Sequence, residues 1–144
     1  MDKTIVVKEC ITETDFRQAF PVINELRPHL TEAMYFEWLQ PMQKEGYRLF
    51  VIEEEGEVVA CAGIEIMTNF YNGRHLYLHD LVTRSDRRSC GHGERLLSEL
   101  EEWGRAQGCE RVALTSRFIR KDAHRFYEER MGYDKESYAF LKDI

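Results

Sequence analysis

Three arginines, a Gly-x-Gly and the start of a helix follow one another in Arg84-Ser85-Asp86-Arg87-Arg88-Ser89-Cys90-Gly91-His92-Gly93-Glu94. These residue types in this order suit one task, the grip of a phosphate-rich anion. Gly91 and Gly93 are free to take positive φ and carry no Cβ, so the backbone can come close to a phosphate. The helix that follows begins with N–H groups that have no intrahelical partner, and its dipole adds about half a positive charge there. A diphosphate fits such an end. Arg84, Arg87 and Arg88 bring guanidinium groups able to pair with it.

The elements that position this loop can be read from the pattern on either side. Residues 74–83 alternate as a strand entering it, and residues 94–107 form the helix leaving it, with Leu96, Leu97, Leu100 and Trp103 on one face. Gly108 suits the end of that helix, and residues 111–115 form a short strand. A strand, a helix and a strand joined by short links imply a parallel pair. Upstream, residues 4–8 read as an edge strand. Thr12-x-x-Asp15 opens a helix that Pro21 should kink or restart. Thr31 caps a second helix ending before Gly46 and carrying Met34, Tyr35, Trp38, Leu39 and Met42. Residues 47–53 and 57–67 form a hairpin around Glu54-Glu55-Gly56, and Asn72-Gly73 makes a second tight turn. The run Val58 to Ile64 suits a strand covered on both faces. Downstream, Asp122 caps a helix to Arg130 that Gly132 ends, and residues 137–141 form a last strand.

Composition bounds the function. A length of 144 residues is one domain with room for a real core. A net charge of −6 argues against nucleic acid as the main partner. No apolar run approaches the ~18 residues of a membrane span, and no signal-peptide core opens the chain. Cys10, Cys61, Cys90 and Cys109 are scattered without a C-x-x-C pair, so neither a metal site nor a disulfide framework is expected. The reading is a soluble cytoplasmic protein with free thiols.

With the elements in place, Arg88-x-x-Gly91-x-Gly93 after a strand and at a helix start resembles the acetyl-CoA loop of the GNAT N-acetyltransferases. A second stretch, Ala123-His124-Arg125-Phe126-Tyr127 and then Met131-Gly132-Tyr133, is similar to the family's A-x-x-F-Y…G-F/Y signature. The preceding helix pair and hairpin also fit, so the resemblance covers nearly the whole chain. It implies a single α/β domain over residues 1–144. The sheet would be mixed and mostly antiparallel, with two central parallel strands splayed around acetyl-CoA and helices on both faces. Backbone groups of Leu81, Val82 and Thr83 would pair with the pantetheine arm like an added strand. Arg88 and the backbone N–H groups from Ser89 through Cys90, Gly91, His92 and Gly93 to Glu94 would hold the diphosphate. Arg120 stands where many relatives carry an asparagine. A tendency to homodimerise is also implied.

Acetyl transfer to an amine requires a deprotonated ammonium, a polarised thioester carbonyl and a protonated leaving thiolate. By resemblance, a backbone N–H near Leu81 polarises the carbonyl and Tyr127 protonates the thiolate. An ordinary tyrosine pKa near ~10 suits a donor. The base has three candidates. His79 has an ordinary pKa near ~6.5, and the others are Asp80 and Glu65. Strand alternation puts Tyr77, His79, Leu81 and Thr83 on one face and Asp80 with Val82 on the other, a parity that a bulge would reverse.

The acceptor is a small-molecule or protein amine. Its wall, by resemblance, is residues 27–36, and Glu32, Glu37 and Glu65 suit a cation. Polyamine, amino acid, aminoglycoside and peptide N-terminus all stay open. Two other readings stand beside the enzyme. One is an acyl-CoA-binding sensor on the same fold. The other is a dinucleotide site, which Leu96 disfavours by occupying the place of a further glycine.

Overall fold

A computed structural model of the chain describes residues 4–118 and 120–144. They form two compact units, one running to Ala113 and the other comprising Leu114–Ile144. The first holds a five-stranded mixed sheet in sequential order: β1 (Ile5–Glu9), β2 (Arg48–Glu54), β3 (Glu57–Asn69), β4 (Gly73–Thr83) and β5 (Arg111–Ala113). Strands β1 to β4 pair antiparallel, and β5 runs parallel to β4. The expected α/β architecture is present. The β2–β3 turn has φ of 53° at Glu55 and 83° at Gly56, the paired positive values a two-residue hairpin turn needs. Residues 58–64 are all buried, so β3 is the covered central strand.

Helix α1 (Glu13–Leu26) starts from a capping box. Thr12 Oγ1 accepts from the Asp15 N–H at 3.1 Å, and Asp15 Oδ2 accepts from the Thr12 and Ile11 N–H groups at 3.0 and 2.9 Å. Those backbone donors, Thr12 first, hold the Asp15 carboxyl down at about 2. They favour the charged form, so their stabilisation is complete above the unfolded value near ~3.9 and is lost as pH falls through the folded one. Asp15→Ala is therefore expected to cost about 1 kcal/mol at neutral pH. In urea titrations the gap between the two proteins should close as pH drops from about 4 toward 2. A gap constant through that window would mean the carboxylate charge contributes nothing.

The helix passes through Pro21 without a break, because Phe16, Ala19, Val22 and Ile23 bury its other face. Helix α2 (Glu32–Lys44) is capped by Thr31 Oγ1, which accepts from the Met34 N–H at 3.1 Å. Of its aromatic stripe, Tyr35 and Leu39 are buried while Trp38 is exposed. Residues of α1 and α2 share one core with Leu49, Val51, Cys61 and Val82. Helix α3 (His92–Ala106) covers the opposite face, where Trp103 packs on Phe50 and Gly104 admits Leu76.

In the second unit, α4 (Lys121–Arg125) widens into a π-helical turn over Phe126–Arg130. The cap expected at Asp122 thus falls two residues earlier, at Arg120, which makes no side-chain cap bond. The strand expected at residues 137–141 is not formed, and Tyr138, Phe140 and Leu141 are exposed. Alternating aromatics supply a strand's pattern but not the partner its backbone groups need. Among the described residues no strand follows β5, so the parallel pair ends the sheet's order instead of lying at its centre. No helix among them is long and apolar enough to cross a membrane.

Candidate active site

The parallel pair is short. β5 meets β4 only at His75–Arg111, Leu76–Val112 and Tyr77–Ala113, while β4 continues to Thr83. Beyond Tyr77 the edge of β4 turned away from β3 has no β5 partner; the His79 carbonyl accepts from Arg27 Nη2 at 2.9 Å, and the backbone after it is placed to take an added strand. Leu81, Val82 and Thr83 lie on this stretch. The Val82 side chain is part of the core, so only its backbone is available.

At the start of the open edge β4 carries a bulge. Gly63 of β3 pairs with Asp80 and Ile64 with Leu78, which leaves His79 as the extra residue. The parity expected from simple alternation is corrected here. Tyr77, His79 and Asp80 all turn to the α1–α2 side. There the His79 ring lies 4.8 Å from that of Tyr77 and 5.7 Å from that of Tyr47. Leu81 pairs opposite Ala62 and falls on the other face.

The three candidate bases are sorted by their partners. His79 Nε2 lies 3.0 Å from Glu65 Oε2, so the two form one pair. Their side chains are 33% and 19% exposed, half-buried yet within reach of a substrate. Asp80 is committed elsewhere. Its Oδ1 accepts from Arg27 Nε at 3.1 Å and its Oδ2 from the Tyr47 hydroxyl at 2.8 Å. Arg27 was expected only as the first residue of the acceptor wall, and Tyr47 only as the start of a strand; neither was expected to hold Asp80. The available signal was Gly63, since a glycine inside an apolar strand marks a bulge or a close approach. A Cβ on Gly63 would sit 1.9 Å from Tyr47 Oη.

The phosphate loop begins with a 3₁₀ turn, Ser85–Arg87. Two of its three arginines are already neutralised. Arg84 pairs with Asp86 at 2.6 Å and Glu57 at 3.5 Å, and Arg87 pairs with Glu54 at 3.0 Å and Asp86 at 3.3 Å. Arg88 alone of the three has no ion pair among the described residues. Gly91 takes positive φ, 82°, as the N-cap of α3, but Gly93 lies within the helix and Ser89, at 65°, supplies the second left-handed residue. No side chain caps α3 at Gly91, which leaves the N–H groups of its first residues, His92 and Gly93, to face an anion. The His92 ring is buried 3.7 Å from Glu54, leaving only its backbone for that purpose. Cys90 is exposed, and its thiol points to the Arg88 carbonyl.

Tyr127 belongs to the second unit and sits in the π-helical turn, a distortion frequent at functional sites. Its ring packs against Phe126 and Tyr133 at 5.3 and 5.7 Å. Burial pushes the phenol above its ordinary pKa, opposed by the positive charge of Arg120. Its hydroxyl has no hydrogen-bond partner among the described residues.

Comparison with known proteins agrees on one family. The model of the acetyltransferase (GNAT) family matches residues 12–133. YhdJ, an uncharacterized N-acetyltransferase of Bacillus subtilis (strain 168), is 37% identical over 141 residues, 97% of this chain and 99% of its own length. The aminoalkylphosphonate N-acetyltransferase of Salmonella typhimurium is 32% identical over 99 residues, 68% of this chain and 62% of its own. Among solved structures, the aminoglycoside N-acetyltransferase AAC(6')-Iy in complex with CoA superposes with a TM-score of 0.86. The match covers 99% of this chain and 97% of that one at 15% identity, a likeness of fold.

Proposed function

The chain belongs to the acetyltransferase (GNAT) family and is an acyltransferase; on that premise we propose that it moves the acetyl group of acetyl-CoA to a primary amine of a small molecule or protein by direct attack. The observation that carries this reading is the continuity of β4. The strand edge without a β5 partner runs from beside the His79–Glu65 pair to Thr83, and the chain then leads through the 3₁₀ turn to Arg88 and the start of α3. Acetyl-CoA, when bound, supplies the activated acyl group on a thioester. Arg88 and the first-turn N–H groups of α3 hold its diphosphate, and the edge of β4 at Leu81, Val82 and Thr83 holds the pantetheine amides.

His79 takes the proton of the acceptor ammonium, directly or through one water, while Glu65 orients the ring. The freed amine forms the new N–C bond as the C–S bond breaks. A backbone N–H near Leu81 offsets charge on the carbonyl oxygen. Tyr127 gives its proton to the departing thiolate and is restored by the second proton that the acylated nitrogen sheds, through water; the role is supported by its match to the family signature and by a phenol kept protonated by burial.

The test is thiol release from acetyl-CoA across a panel of amines headed by aminoalkylphosphonates and aminoglycosides, the classes named in the relatives. Amine-dependent release is the expected outcome. Tight acetyl-CoA binding without release on any amine would favour a sensor. In the same assay Arg88→Ala should raise the KM for acetyl-CoA by roughly 10- to 100-fold, the worth of a charged hydrogen bond. Arg84→Ala and Arg87→Ala should shift it far less. Equal effects from all three would remove the special place of Arg88.

A further inference from the structure

We infer that Arg27 is a positioning residue for the proton-transfer pair of β4, acting through the bulge and not on either substrate. The inference rests on the acyl-transfer reading above, whose base it positions. Arg27 is the C-cap of α1, and its own N–H is fixed to the Ile23 carbonyl at 2.9 Å. From that anchor the guanidinium donates twice across the bulge, Nη2 to the His79 carbonyl at 2.9 Å and Nε to Asp80 Oδ1 at 3.1 Å. The extra residue of a bulge loses its place in the ladder, and here a side chain supplies the missing donor. Tyr47 closes the arrangement from the other side through Asp80 Oδ2. Burial, and then the neighbouring Asp80 carboxylate, push its phenol well above the ordinary range, so it stays a donor. Gly63, lacking a Cβ, leaves room for that phenol.

The consequence lies in register. Without Arg27, a carbonyl and half of a carboxylate that is 13% exposed lose their donors. Relief comes by sliding β4 out of the bulge, and a one-residue slip turns either His79 or Asp80 to the opposite face. The His79–Glu65 geometry is then lost while the phosphate loop is untouched. The same last turn of α1 also holds the first turn of the phosphate loop just past β4, where Glu25 Oε1 accepts from the Ser85 N–H at 3.0 Å. This helix end is thus the natural clamp for the strand.

The experiment compares Arg27→Ala, the better-filled Arg27→Gln and Tyr47→Phe with the parent protein. In Arg27→Ala, kcat is expected to fall about 10²-fold, the scale of a small misplacement of reacting groups. The KM for acetyl-CoA should stay unchanged, and added methylguanidinium should restore turnover in proportion to its concentration. Arg27→Gln and Tyr47→Phe should give smaller losses of the same kind. Backbone amide NMR resonances of residues 79–81 should shift in all three variants while those of residues 88–94 hold. Unchanged kcat, or a loss that methylguanidinium does not relieve while the resonances of 79–81 stay in place, overturns the inference. If the parent protein proves inactive on every amine, the functional reading fails by itself, and the amide shifts alone decide whether Arg27 holds the bulge.

Discussion

Replacing His79 with alanine is expected to lower kcat by about two to four orders of magnitude, the usual contribution of a positioned base. The KM for acetyl-CoA should be unmoved, because the diphosphate grip lies on residues 88–94. The expectation follows from the sorting of three candidates by their neighbours. Asp80 has both oxygens occupied by Arg27 and Tyr47, whereas Glu65 and His79 hold each other at 3.0 Å. A carboxylate against one ring nitrogen fixes the tautomer and steadies the imidazolium formed when the other nitrogen accepts a proton. Glu65→Gln should therefore retain more activity than His79→Ala. A parent-like kcat in His79→Ala would transfer the role to another group.

Tyr127→Phe carries the second large effect. An acid that protonates the leaving thiolate contributes on the order of 10²-fold or more, so kcat should fall by that factor with acetyl-CoA binding intact by calorimetry. Folding should be nearly unaffected, because the hydroxyl has no hydrogen-bond partner among the described residues whose loss would destabilise the chain. The ring contacts with Phe126 and Tyr133 survive in phenylalanine. This separates catalysis from structure: a tyrosine kept for packing alone would leave turnover unchanged. Because burial raises the phenol's pKa, the donor form persists through the neutral range and beyond the ordinary value near ~10. Titration of Tyr127 should thus impose no alkaline limb below that pH.

Features governed by near neighbours in the chain could be read directly. The Thr12–Asp15 capping box, the Thr31 cap and the acidic hairpin turn all depend on contacts a few residues apart. So does the apolar run of β3, whose burial needs no knowledge of which helix covers it. The pattern failed where a partner at long range decides. Residues 137–141 alternate like a strand without pairing as one. Gly93, expected to supply positive φ, is helical, and Ser89 takes that conformation instead. Arg84 and Arg87, which read as phosphate ligands, are neutralised by Glu57 from β3 and Glu54 from β2, with Asp86 inside the loop.

The residues themselves thus determined the order of elements, the loop that suits a diphosphate and the short list of proton-transfer groups, because propensity, capping and glycine chemistry act locally. Only the tertiary structure decided which groups on that list share a face. The bulge at His79 sets opposite Gly63 two residues that simple alternation would send apart, and it is braced by Arg27, 53 positions from Asp80 along the chain. A side-chain period of two has no memory of such an insertion. The register emerges only when strand pairs with strand and a helix end docks upon them.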